Sequence, residues 1–184
     1  MHADIERILI DEERIQVALD RVAQEITRAY GDEPFTVVGV LKGAAVFVSD
    51  LIRRVPSPLE LSFLAASSYR DKTEAGELVL NFLPTEQEIA GRRLLLVDDI
   101  LDTGRTLATL KRELLERGAK EVKSCVFLDK PARRAVDHDA DFRCFEVEDL
   151  FVVGYGLDYA GRYRNLPYVG ALKPEVFGAP VSRS

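Results

Sequence analysis

Asp98 and Asp99 stand side by side directly after four apolar residues, 94–97, and the string Asp102-Thr103-Gly104-Arg105-Thr106 follows after Ile100 and Leu101. The apolar run predicts a buried strand. Leu107, Leu110 and Leu114 then recur at helical spacing until Gly118, which predicts a helix beginning just after the loop. This order of strand, acidic pair, small-residue loop and helix carries two chemistries. The amides of residues 103–106, at a helix N-terminus, suit an anion. The paired carboxylates repel that anion and suit neutral hydroxyls or a metal ion. A site that offers both fits a sugar phosphate. The string is neither a P-loop nor a dinucleotide fingerprint, since Gly-x-x-x-x-Gly-Lys-[Ser/Thr] and Gly-x-Gly-x-x-Gly are both absent.

Two more apolar runs end in functional residue types. FTVVGVL, residues 35–41, runs into Lys42-Gly43, and residues 122–128 run into Asp129-Lys130-Pro131. In an open parallel sheet, ligands bind beyond the carboxyl ends of the strands. The three ends would converge on one edge.

The remaining pattern supplies such a sheet. Asp11 is a candidate N-cap, with Glu12 and Glu13 in the first turn, and Ile15, Leu19, Val22 and Ile26 form the apolar face of a helix ending near Gly31. A second helix is expected over residues 44–54, with Val46, Phe47 and Leu51 facing in, until Pro56 and Pro58 break it. Residues 59–66 and 78–83 read as strands on either side of a polar stretch, SSYRDKTEAGE, which reads as a long loop or extended hairpin. Residues 151–153 read as the last strand. Alternating strand and helix patterns imply an α/β fold with a mostly parallel central sheet flanked by helices. A single domain is expected, its core at about residues 11–130 and a small hood from residues 1–10 and 133–180.

A chain of 184 residues with an apolar fraction of 47% can bury a substantial core. No run of eighteen apolar residues is present, so neither a membrane helix nor membrane association is expected, and the charged N-terminus does not read as a signal peptide. Cys125 and Cys144 read as buried free thiols suited to a reducing cytoplasm, and His2 and His138 have no metal-ligand spacing. The net charge of −6 argues against a nucleic-acid face.

VDDILDTGRTL resembles the phosphoribosyl-diphosphate motif of the type I phosphoribosyltransferases, and the carboxylate of Asp102 resembles their 6-oxopurine branch. The string at 149–170, DLFVVGYGLDYAGRYRNLPYVG, is similar to that branch's C-terminal signature, and the likeness runs from about Ile8 to Leu172. One departure is visible: the family often has Glu-Asp where this chain has Asp98-Asp99, which shortens the reach of the first carboxylate. The resemblance implies a purine-salvage enzyme. Ribose 5-phosphate would pass from phosphoribosyl diphosphate to hypoxanthine or guanine, giving IMP or GMP and pyrophosphate. It implies that Lys42 and Gly43 form a pyrophosphate loop with a cis peptide at 41–42. Asp98 and Asp99 would meet the ribose or a metal, and Thr103, Gly104, Arg105 and Thr106 the phosphate. Lys130 would donate to the 6-oxo group, Phe151 would stack on the purine, and the Val152 backbone would pair with its edge. Asp158 would contact magnesium and Arg164 would clamp the pyrophosphate. Ser68 and Tyr69 would open a closing lid. Asp102 would accept a proton from the purine; read from position alone, it serves equally as a helix N-cap.

An acidic protein with a polyanionic substrate needs local cations, and a Mg2+ requirement follows. A homodimer or homotetramer is the expected assembly. Two other readings compete: a regulator on the same fold that binds RNA or DNA and senses phosphoribosyl diphosphate, for which Arg53-Arg54, Arg92-Arg93 and Arg133-Arg134 offer basic pairs, and a xanthine-preferring transferase. The pI near 5.1 weighs against the first, and the 149–170 string against the second.

Overall fold

The computed structural model describes residues 1–68 and 78–178. Strand β1 (Ile5–Ile10) leads into helix α1 (Glu12–Tyr30). The Asp11 carboxylate accepts the Arg14 amide at 2.8 Å, and Gly31 ends the helix with φ +59°. Then come β2 (Phe35–Leu41), α2 (Ala45–Ile52), β3 (Leu59–Ser68), β4 (Leu78–Phe82), the one-turn α3 (Glu86–Ile89), β5 (Arg93–Leu101), α4 (Arg105–Glu116) and β6 (Glu121–Asp129). A 3-10 turn (Pro131–Arg133) precedes β7 (Phe142–Glu146), β8 (Val152–Val153), β9 (Val169–Leu172) and the short α5 (Pro174–Phe177).

The main sheet has the order β4-β3-β2-β5-β6-β7, parallel throughout except for the β3–β4 edge pair. Its central strands β2, β5 and β6 are buried on both faces, as helices on two sides require, while Leu61 of β3 and Phe82 of β4 are exposed towards the edge. On one face Val37, Leu95, Val97, Cys125 and Phe127 pack with Ile15, Leu19, Val22 and Ile26 of α1 and with Phe47 and Leu51 of α2. On the other, Val38, Val40, Leu94, Leu96 and Val126 pack with Leu107, Leu110 and Leu114 of α4. From β2 the chain builds outward to β3, and from β5 it builds the opposite way to β6 and β7. β2 and β5 therefore flank the point where the strand order reverses, and the crevice beyond their carboxyl ends is the expected ligand position.

A second, antiparallel sheet, β1-β9-β8, joins the two ends of the chain, with Ile5, Val153, Tyr163 and Leu172 in its own small core.

Several sequence expectations need correction. Val46 is exposed, because α2 turns only Phe47, Val48 and Leu51 inward. Residues 151–153 are not the last strand: β9 follows, and Phe151 lies outside β8. β1 and β9 have little alternation of their own and are strands because they pair with each other. β7 extends the parallel sheet beside β6, so residues 133–180 do not all go to the small sheet. The expectation for the cysteines holds: Cys125 and Cys144 are buried free thiols, and burial raises both thiol pKa values, that of Cys144 to about 12. Among the described residues no helix is long and apolar enough to cross a membrane.

Candidate active site

A cavity of about 360 Å³ opens at the β2–β5 crevice. Its walls come from the end of β2 with Gly43, from residues 98–104 with Thr106 and Leu107, and from Asp158 and Arg164. The alternation of β5 puts Asp98 on the α4 side and Asp99 on the α2 side. Asp98 is only 8% exposed, and its Oδ1 accepts the Asp99 amide at 2.9 Å. Burial pushes the Asp98 carboxyl well above the usual carboxylate range, and the neighbouring Asp99 adds to the rise. Burial also raises Asp99, opposed by hydrogen bonds from the Asp98 side chain and from the backbone of Ile100 and Asp99, and less by the charge of Arg164. The acidic pair is short of positive charge.

Glycines bring the three loops together. A Cβ on Gly43 would overlap the Asp99 carboxylate, and one on Gly156, whose φ is +97°, would overlap the Gly43 carbonyl. The Leu41–Lys42 peptide is cis. Lys42 is exposed and does not line the cavity. Arg164 is held within its own loop, donating to the Gly156 carbonyl at 2.5 Å and pairing with Asp158 at 2.6 Å; the other Asp158 oxygen accepts the Gly161 amide at 2.7 Å.

Helix α4 begins at Arg105, and its N-cap is Gly104 with φ +82°. Asp102 lies two residues ahead of the cap, so the N-cap role does not hold. Its Oδ1 is buried and lacks a hydrogen-bond donor: Arg133 Nε is 2.9 Å away as an ion pair, out of hydrogen-bond alignment. Thr103, Gly104 and Thr106 line the cavity, whereas the Arg105 side chain is exposed.

Lys130, Phe151 and Val152 lie outside the cavity wall. Lys130 nevertheless adjoins it, since its amide donates to the Leu101 carbonyl at 2.9 Å. It is no surface turn lysine: it is 6% exposed, and its Nζ donates to the Leu150 carbonyl at 2.6 Å and sits 3.8 Å from Asp149. Burial lowers its pKa, against the pull of Asp149 and Asp102. The Phe151 ring is 41% exposed, with Phe177 stacked on it at 5.0 Å and Tyr159 edge-on at 5.4 Å. Val152 is buried in β8, opposite Ala171. Ser68 ends β3 opposite Leu78, and Tyr69 lies outside the described residues.

Sequence reading missed Arg133, Arg134, Asp149 and Phe177. The Arg133-Arg134 pair was visible only as positive charge. In the fold Arg133 turns to Asp102 and Asp149, and Arg134 to Asp129. The other basic pairs are likewise engaged: Arg53 with Asp50, Arg54 with Asp20, Arg92 with Glu60, and Arg93 with Glu33 and Glu121.

Among the described residues no three His, Cys, Asp or Glu side chains form a metal cluster. Asp98, Asp99 and Asp158 do reach one cavity. That donor set, with its shortage of positive charge, fits a Mg2+ ion that takes one or two carboxylates and completes its shell from water and substrate phosphate oxygens.

Parallel sheet, switch-point cavity, acidic pair and amide loop meet at one place in the fold, and residues 7–160 match the phosphoribosyl transferase domain. The chain belongs to the phosphoribosyl transferase family. It is 46% identical over 177 residues to hypoxanthine-guanine phosphoribosyltransferase of Bacillus subtilis, covering 96% of this chain and 98% of that one. It is equally similar to the bifunctional protein TilS/HprT of Listeria monocytogenes, of which it spans 27% of the length. A crystal structure of hypoxanthine phosphoribosyltransferase from Staphylococcus aureus superposes with a TM-score of 0.90 at 40% identity, covering 96% of each chain.

Proposed function

We propose that the chain acts as a single phosphoribosyltransferase domain that moves ribose 5-phosphate from phosphoribosyl diphosphate to hypoxanthine or guanine, giving IMP or GMP and pyrophosphate. The observation that carries this reading is the Asp102 carboxylate in the cavity wall beside the amide loop, its buried Oδ1 ion-paired with Arg133 but taking no aligned hydrogen bond.

In the proposed reaction a purine ring nitrogen bonds to the anomeric carbon as the bond to pyrophosphate breaks. Positive charge grows on the ribose and negative charge on the leaving group, and both need preset partners. Asp98 and Asp99 hold the ribose hydroxyls. The amides of residues 103–106 hold the 5-phosphate at the α4 N-terminus. The Lys42-Gly43 backbone binds the pyrophosphate, and the Arg164 guanidinium, held beside it by Gly156 and Asp158, faces its charge. Asp102 takes the proton that the ring nitrogen loses. Lys130 donates to the 6-oxo group, Phe151 stacks on the base, and the Val152 backbone pairs with its edge. Asp98, Asp99 and Asp158 would hold Mg2+, which would supply positive charge to neutralise the leaving group. A cytoplasmic homodimer or homotetramer is the setting proposed.

Purified protein given phosphoribosyl diphosphate, Mg2+ and hypoxanthine should yield IMP and pyrophosphate in equal amounts. Metal-stripped protein in excess EDTA should yield neither, and added Mg2+ should restore both. Full turnover in EDTA contradicts the metal assignment, and no product under any of these conditions contradicts the reading as a whole.

A further inference from the structure

The 130–135 segment reaches over the amide loop and binds three successive carbonyls. The Lys130 amide and Arg134 Nη1 donate to the Leu101 carbonyl at 2.9 and 3.3 Å. The same Arg134 nitrogen donates to the Asp102 carbonyl at 2.6 Å, and the Ala135 amide to the Thr103 carbonyl at 2.9 Å. In a trans peptide unit the C=O of one residue and the N–H of the next point in opposite directions. With the carbonyls of 101, 102 and 103 turned to this segment, the amides of Asp102, Thr103 and Gly104 turn the other way. All three of those residues line the cavity.

Arg134 is itself anchored. Its Nη2 donates to Asp129 Oδ1 at 2.5 Å, and Asp129 is fully buried at the end of β6. Arg143 holds the second Asp129 oxygen at 3.0 Å, and among the described residues it is not a donor to the loop carbonyls. Asp139 lies 3.8 Å from Arg134 at the exposed rim. The Arg134 stem also lies 3.1 Å from where a Cβ on Gly104 would stand, so it packs on the loop as well as bonding to it.

We infer that Arg134 is a positioning residue for the proposed transfer: anchored on Asp129, it sets the peptide planes of the amide loop, so that the loop's N–H groups face the sugar phosphate and the Asp102 side chain faces the base. This rests on the proposed function. A planar fork can bridge a carboxylate and two carbonyls at once, whereas the compact ammonium of lysine supplies the charge without the span.

The test compares Arg134→Lys with Arg143→Met, because both disturb the Asp129 ion pairs and only the first touches the loop. Wild type, both variants and Arg134→Met are assayed for kcat, for KM of phosphoribosyl diphosphate and of hypoxanthine, and for Tm. Arg134→Lys is expected to lose about 10²-fold in kcat/KM for phosphoribosyl diphosphate, as small misplacements of positioned groups do. Its KM for hypoxanthine should move less, and its Tm should stay near that of Arg143→Met. Arg143→Met should keep wild-type kinetics. The inference fails if Arg134→Lys is kinetically like Arg143→Met. It fails also if Arg134→Lys does not fold while Arg143→Met does, since Arg134 would then be a folding residue alone. A wild type without transferase activity overturns the proposed function instead, and this inference with it.

Discussion

Gly43 lies against the carboxylate of Asp99 with no room for a Cβ, so the turn after β2 and the end of β5 are fixed to each other at the switch point of the sheet. Gly43→Ala must push one of them aside. Overpacking of this kind costs about 1–3 kcal/mol, and displacement of Asp99 should lower kcat/KM for phosphoribosyl diphosphate by about 10²-fold. Denaturant unfolding and steady-state kinetics on the variant check both. Wild-type kinetics in a destabilised variant would mean that Asp99 lies away from the reacting sugar.

Asp102→Asn should lower kcat by about 10²–10⁴-fold, the usual range for loss of a general base. Affinity for phosphoribosyl diphosphate should change little, because the Asp102 carboxylate faces Arg133 and the proposed base position. If more than about a third of wild-type kcat with hypoxanthine remains, proton transfer runs through another group.

Lys130 is a donor only, so it rewards a 6-oxo group and leaves the exocyclic amine of adenine unmatched. Mismatches of this kind reach about 10⁴-fold in kcat/KM. Lys130→Ala should lose most of its efficiency with hypoxanthine and narrow the gap to adenine, and Lys130→Gln should admit more adenine than the wild type does. Kinetics with hypoxanthine, guanine and adenine decide the point. Equal losses on all three bases would mean that Lys130 supports the site through Leu150 and Asp149 without reading the base.

The buried Asp98 makes a pH prediction. Its folded pKa is raised, so the native state binds more protons than the unfolded state between the ordinary and the raised value. Stability from this group is intact below the ordinary carboxylate pKa, about 4, and is lost as pH rises through the raised one. Asp98→Asn carries no such loss. The variant should have the higher Tm above that window, and the difference should vanish towards pH of about 4. Its transferase activity should fall, a trade of stability for function. A Tm below wild type at every pH would show that the ionised carboxylate is satisfied in the fold.

The main sheet and its functional edge were legible because their signals are local. Buried parallel strands are continuous apolar runs, and residues 94–97 or 35–41 can hardly be anything else. Asp11, Gly31 and the α1 stripe likewise carry their own capping and periodicity. β1 and β9 depend on a partner more than 150 residues away in sequence, as the Ile5–Leu172 pairing shows, and nothing local announces that. The acidic pair and the amide loop were readable for the same reason as their strand. Arg133 and Arg134 were not, because an arginine's role depends on which carboxylate or carbonyl the fold brings to it, and here those lie across the β5–β6 edge.

The central claim is tested most directly by kcat/KM for five free bases, hypoxanthine, guanine, xanthine, adenine and uracil, each with phosphoribosyl diphosphate and Mg2+. The account predicts efficient turnover of hypoxanthine, guanine or both, with adenine lower by orders of magnitude and uracil inert. Adenine or uracil as the preferred acceptor, or phosphoribosyl diphosphate bound without transfer to any base, would contradict it.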